Sequence, residues 1–314
     1  MYPSNPIHPN NSKPVNIENF FHDTGNGRIF CTLISPQNPT EECVIYFAPL
    51  FEERMWAQRI AFNFARDMAA KGSHATLVFD YHGYGESDGN AEDFTLARCR
   101  DDVISLHVLM QTRGYSRFVW WGIRTGCAIA LGTIPAHAPI NSFILWAPVL
   151  GLKDYIYESL RANIAAQMML FKKVMAKRDI ILAELVQYGQ CFRDGYVLNH
   201  VDGYRFGGIF YQEILNMNHS KDLSYLAFPS LVVEVIPPRA EKGKLMARTE
   251  STAETAPAQQ NIQYRKVSER EFWLIGRDYS QRAESVYRAT LEWLDAQASG
   301  SKTGEASLWN RSER

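Results

Sequence analysis

No stretch of this chain is apolar for long enough to cross a bilayer. The longest helical apolar run, from about Ile164 to Met175, is interrupted by Lys172 and Lys173 and falls short of the roughly 20 residues a span requires. The opening residues, MYPSNPIHPNNSKP, are polar and proline-rich and lack the apolar core of a signal peptide, so the expected location is the cytoplasm. An excess of one charge is missing too: 33 Lys and Arg against 34 Asp and Glu leave a formal net charge of -1. Without a basic stripe there is no broad electrostatic pull toward nucleic acid or an anionic membrane. Cysteine is sparse: Cys31, Cys43, Cys99, Cys127 and Cys191 are odd in number and scattered. They show neither CxxC nor metal-ligand spacing, so reduced core thiols are expected rather than disulfides or a metal site. No P-loop and no GxGxxG follows a strand; no cofactor is expected.

What is present is an ordinary globular composition, 46% hydrophobic over 314 residues, patterned as short apolar runs alternating with helical segments. β-runs are expected at RIFCTLI (28–34), CVIYF (43–47), ATLVF (75–79), FVWW (118–121), FILW (143–146), SLVVEVI (230–236) and 262–267. Helices are expected at about 56–70, 91–113 and 280–296. This alternation predicts an α/β fold with a doubly wound, mostly parallel sheet. From 152 to 222 it stops, and a helical segment rich in Met, Leu and aromatics stands where a cap would be inserted. The expected organisation is thus a loose arm over 1–15, a core over 16–151 and 223–298, the cap over 152–222 and a disordered tail over 299–314. The polar stretch 237–260 reads as a surface loop.

One pentad raises the question of chemistry. FVWW leads into Gly122-Ile123-Arg124-Thr125-Gly126 and then a small-residue helix, the frame of the G-x-S-x-G nucleophile elbow. The central residue is Arg124, a permanent cation that cannot attack a carbonyl. A triad acid is expected after the strand ending at Ile236, where the sequence reads PPRAE; Glu234 and Glu241 are poorly placed. A base is expected after the last strand, but histidine does not occur after His219, and the sequence there is SEREFW (268–273). Nucleophile and base are both missing from their expected places, which argues against Ser-His-Asp hydrolysis.

Other residues at the elbow keep alternatives open. The loop APLFEE (48–53), with Leu50 and Phe51, and the backbone of Thr125 form an expected oxyanion-type pocket beside a helix N-terminus. Arg124 could hold a carboxylate or phosphate there, or pair internally with Glu52 or Glu53. Cys127, on the first helical turn, is a weak nucleophile candidate, more readily read as a core thiol. Ser87 and His82 in DYHGYGESDG read as a structural loop, Asp101 and Asp102 as a solvated helix face, Trp120 and Trp121 as core packing, and His219 as a surface residue.

APLFEERM, DYHGYGESDGN, WGIRTGC, LWAPVLG, LRANIAAQMM and VDGYRF together resemble the exosortase A system-associated hydrolase 2 family. The likeness covers roughly Ile45–Tyr211 and, more weakly, VSEREFW. It implies an α/β-hydrolase fold of serine aminopeptidase-like type, with Arg124 as a family feature. It also implies a bacterial setting beside exopolysaccharide and protein-sorting machinery. Three functions stay open. One is a non-catalytic or unconventional protein binding a small acyl or anionic ligand. Another is an acyl hydrolase or transferase (ester, thioester or lactone) with a non-standard nucleophile. The third is a scaffold for a protein partner in an envelope assembly.

Overall fold

The computed structural model describes residues 13–135, 140–217, 223, 226–238, 261–274 and 282–309, the side chains of 300–309 excepted. Among them, eight strands form one sheet: β1 (Val15–Asp23), β2 (Arg28–Pro36), β3 (Glu42–Phe47), β4 (Ala75–Phe79), β5 (Arg117–Ile123), β6 (Ile140–Trp146), β11 (Ser230–Ile236) and β12 (Ile262–Ser268). Their order is β1-β2-β4-β3-β5-β6-β11-β12. β1 and β2 run antiparallel to their neighbours, and every pairing from β4 to β12 is parallel. This is the expected doubly wound α/β sheet.

The central strands are apolar on both faces because helices cover both. Phe118 to Ile123 are all buried, and helices α1 (Glu52–Lys71), α2 (Leu96–Thr112), α3 (Thr125–Gly132) and α7 (Glu284–Trp309) connect or follow the strands. An aromatic cluster joins sheet to helices: Trp121 meets Trp146 at 4.6 Å, and Phe64 of α1 packs on both. Its polar atoms are satisfied in part by Trp146 Nε1 donating to Thr290 Oγ1 (2.9 Å) and Tyr287 Oη donating to the Ile60 carbonyl (2.6 Å). Trp120 and Trp121 are wholly buried, and all five cysteines are buried free thiols.

Several boundaries differ from the sequence expectation. Val15 already belongs to β1, an edge strand whose residues are mostly exposed and whose VNIENFFHD, with apolar and polar residues interspersed, lacks the continuous apolar run used to find strands; residues 1–12 of the expected arm lie outside the described residues. α2 begins at Leu96, not near Ala91, because the Thr95 hydroxyl accepts the Arg98 N–H and caps it. Asp102 is buried, not solvated. α7 continues to Trp309, past Ser299, since extending a helix costs less than starting one; residues 239–260 and 310–314 lie outside the described residues. Between β6 and β11 the chain forms α4 (Leu152–Phe171), α5 (Arg178–Tyr188), α6 (Gly208–Asn216) and two ribbons of two-residue strands, β7/β8 (Phe192–Arg193, Tyr196–Val197) and β9/β10 (His200–Val201, Tyr204–Arg205). The segment is not wholly helical: Asp194 and Asp202 take positive φ and start tight turns with Gly195 and Gly203.

Burial also sets the acid response. His107 accepts a hydrogen bond from Trp120 Nε1 (3.0 Å), and burial lowers its pKa to about 4 from 6.5; His74 is lowered likewise to about 4. A histidine with depressed folded pKa contributes stability above about 6.5 that is lost as pH falls toward 4. Asp102, pushed up to about 6 by burial, acts in the opposite sense and loses stability as pH rises through that value. Urea unfolding of His107→Gln, which keeps an acceptor for Trp120, isolates the first effect. Between pH 6.5 and 4 the wild type should lose about 3 kcal/mol more than the variant.

Candidate functional site: an arginine at the elbow

At the end of β5 the chain turns sharply into α3, and Arg124 at the turn has φ 53° and ψ -121°. This region is costly for a residue with a Cβ, on the order of 1–3 kcal/mol. The surroundings fix it. The Arg124 N–H donates to the Trp146 carbonyl (2.9 Å), and its own carbonyl accepts from Cys127 (3.1 Å) and Val149 (3.1 Å). The flanking glycines allow the close approach: a Cβ on Gly126 would stand 2.2 Å from the Phe47 carbonyl oxygen, and one on Gly122 would stand 2.7 Å from the Cys127 backbone. Two more non-glycine residues with positive φ, Phe51 before α1 and Ala147 after β6, flank the same edge of the sheet. Strain gathered at one place marks a built site.

The guanidinium is paired inside the protein. Its Nη2 and Nε face the two carboxylate oxygens of Glu53, each at 3.3 Å, and Nη1 donates to the Ala147 carbonyl at 3.4 Å. Both side chains are about one-tenth exposed. The fork matches the carboxylate as a bidentate pair, and Glu53 lies in the first turn of α1, where the helix dipole favours an acid. The Trp273 ring lies beneath the cation at 4.6 Å, adding a cation–π contact. Trp273 comes from the loop after β12, where the chain order of a triad would put histidine. Tyr155 of α4 stacks on Phe51 and lies near enough to feel the charges of Glu53 and Arg124. Burial, and then the Glu53 charge, raise its phenol well above the usual range. Phe206 closes on Phe51 from the side.

The remaining candidates fall into place around this pair. Glu53, not Glu52, is the carboxylate opposite Arg124. The Leu50 N–H, expected to face an oxyanion, instead donates to the Thr125 hydroxyl at 2.8 Å, and Thr125 is fully buried. Phe51 caps α1 with a buried ring, its carbonyl accepting the Arg54 N–H. Cys127 points into the core, its Sγ 3.7 Å from the Trp146 carbonyl, and burial pushes its thiol far above the usual range, the reverse of what a nucleophile needs. Ser87 takes the Phe30 N–H and donates to the Asp80 carbonyl; it clamps a loop, while His82 is enclosed by Gly27 and Gly89. Glu234 pairs with Lys266. His219 and Glu241 lie outside the described residues. Trp273 and Tyr155 were not foreseen: nothing in their sequence neighbourhood ties them to a residue more than thirty places away. A cavity of about 300 Å³ lies between α1 and the face of β2, β4 and β3, with Tyr46 on its wall and the Arg54–Asp80 ion pair at its rim. Arg124 does not line it.

No protein-family model matches this chain, and no curated protein does. Solved structures do match. A putative hydrolase from Agrobacterium vitis S4 is 15% identical with TM-score 0.50, over 90% of this chain and 99% of that one. Est1E from Butyrivibrio proteoclasticus, solved with ferulic acid bound, is 14% identical with TM-score 0.55, over 89% and 99%. DcsB, solved with a substrate analogue, is 13% identical with TM-score 0.52, over 90% and 99%. At these identities the likeness establishes the scaffold alone: the chain has the α/β-hydrolase fold.

Removing one partner of a buried ion pair leaves the other uncompensated, at about 3–5 kcal/mol, whereas removing both is far less costly. Glu53→Leu and Arg124→Met should therefore each destabilise strongly in denaturant titration, and the double variant should recover most of the loss.

Proposed function

We propose that this chain is a non-catalytic member of the α/β-hydrolase fold that holds a small acyl carboxylate at its elbow. The observation that carries this reading is the bidentate Arg124–Glu53 pair at the position of the missing nucleophile. A guanidinium cannot form an acyl-enzyme, and the expected oxyanion donor at Leu50 is engaged by Thr125. In the unliganded protein the site carries its own carboxylate. A ligand carboxylate offers the same two acceptors, so it binds by taking the place of Glu53, with Trp273 behind the cation and Tyr155 above.

The 152–222 segment acts as the cap over this site, since α4 supplies Tyr155 and the loop before α6 supplies Phe206. The acyl chain would lie among Phe51, Phe206 and Tyr155. The alternative of a working acyl hydrolase or transferase gains no support from Cys127, whose thiol is buried and protonated. The motif likeness supports a bacterial cell-envelope setting, beside polysaccharide export or protein sorting.

Two measurements on one set of variants test this. Wild type, Arg124→Ala and Cys127→Ala should all fail to turn over p-nitrophenyl esters, acyl thioesters and acyl lactones above the level of a mock purification. Calorimetric titration with octanoate should show binding that tightens about tenfold in Glu53→Gln, equivalent to about 1.4 kcal/mol, and disappears in Arg124→Met. Turnover by the wild type that vanishes in either alanine variant overturns the non-catalytic reading. Octanoate binding indifferent to Glu53 and Arg124 overturns the ligand site.

A further inference from the structure

A second feature lies on the insert and does not depend on the reading of Arg124. Exposed surfaces of soluble proteins seldom carry several large apolar residues in succession. At the end of α4, Met168, Met169 and Leu170 are consecutive and 47%, 72% and 71% exposed. Val174 beyond them and Tyr196 on the β7/β8 ribbon are exposed as well, and Phe171 packs on Tyr196 at 4.7 Å, joining ribbon to helix end.

This tip is held in shape. Lys172 takes the left-handed conformation and ends α4. The buried Gln167 then fastens the returning loop: its Oε1 accepts the N–H groups of Met175 (2.7 Å) and Ala176 (3.1 Å), and its Nε2 donates to the Ala176 carbonyl (3.1 Å) and to Asn163 (2.8 Å). Asn163 in turn donates to the carbonyls of Leu198 and His200, anchoring the ribbons. A buried amide network thus presents Met168–Leu170 outward, where a slack loop would have folded them in.

The rim of the tip is basic. Lys172, Lys173 and Lys177 are exposed around the loop; Asp194 meets Lys173 in a solvent-exposed pair at 3.6 Å that contributes little, and Asp179 in the first turn of α5 is an exposed acid beside Lys177. We propose that the end of α4 is a docking point for an anionic bilayer surface, with Met168, Met169 and Leu170 entering the headgroup–acyl boundary and the three lysines contacting lipid phosphates. The apolar tip matches the interface and the long lysine stems reach back to the headgroups. A second copy of the chain fits this patch poorly, because a two-fold contact sets like against like and would bring the two lysine clusters together. Among the described residues no helix is long and apolar enough to cross a membrane, so the attachment is peripheral and reversible.

Co-sedimentation with extruded vesicles tests it. The full chain should pellet with equimolar phosphatidylglycerol–phosphatidylcholine vesicles at low salt. It should remain in solution with phosphatidylcholine alone, and lose binding at about 1 M salt, where the screening length is about 3 Å. Lys172→Gln with Lys173→Gln should weaken binding about 25-fold, near fivefold per lysine. Met169→Ser with Leu170→Ser should weaken it at least about tenfold; both variants alter exposed side chains only and should keep the wild-type circular dichroism. Failure to pellet with the anionic vesicles at low salt, or equal binding by either variant, overturns the proposal. So does a wild-type dimer that Leu170→Ser dissociates, which assigns the patch to a second copy.

Discussion

The pair between Arg124 and Glu53 organises the sheet edge on which everything else at the site converges. Each side chain comes from a different β-to-helix turn, one after β5 and one after β3. Both turns are entered through a residue with positive φ, Arg124 itself and Phe51. A charge so little exposed is stable only if its partner is held in register, and the register here is set by backbone. Arg124 is tied to β6 through the Trp146 carbonyl, Leu50 is tied to α3 through the Thr125 hydroxyl, and the elbow glycines bring α3 against the end of β3. The strain of the turn and the burial of the charge are therefore supported by the same few contacts.

In a hydrolase of this fold, such a turn raises a nucleophile into an open pocket, and donors are left free for an oxyanion. Here the same turn presents Arg124, paired with Glu53. The Leu50 N–H is taken by the Thr125 hydroxyl, the central side chain is a cation that cannot attack a carbonyl, and the Trp273 indole lies against it. Fold alone cannot distinguish the two outcomes, and structural relatives at 13–15% identity speak only for the scaffold. The proposed non-catalytic role rests on three side chains, at 53, 124 and 273.

Much of this was open to reading from the residues. The apolar strands of the parallel sheet, the elbow pentad and the lack of a late histidine are local patterns, and each marks its place without knowledge of partners. Glu53 was one of two adjacent candidates, since only the phase of α1 decides which carboxylate turns toward Arg124. Trp273 and Tyr155 were invisible because their roles arise from contacts across the fold. β1 escaped for a different reason: as an edge strand it spaces Val15, Ile17 and Phe21 among polar residues and offers no continuous apolar run. The two-residue ribbons of the insert are shorter than any period that could reveal them.

Net charge misled in a comparable way. A formal value of -1 correctly excludes a broad field, but it averages over a surface on which Lys172, Lys173 and Lys177 stand together beside exposed Met and Leu. Screening confines electrostatics to about 10 Å or less at ordinary salt, so what a docking surface feels is the local cluster and not the sum. The lysines that interrupt the apolar run, and so rule out a spanning helix, are the same residues that give the tip its basic rim. Held outward by the Gln167 network, they turn a sequence too short and too charged to enter a membrane into one suited to rest on its surface.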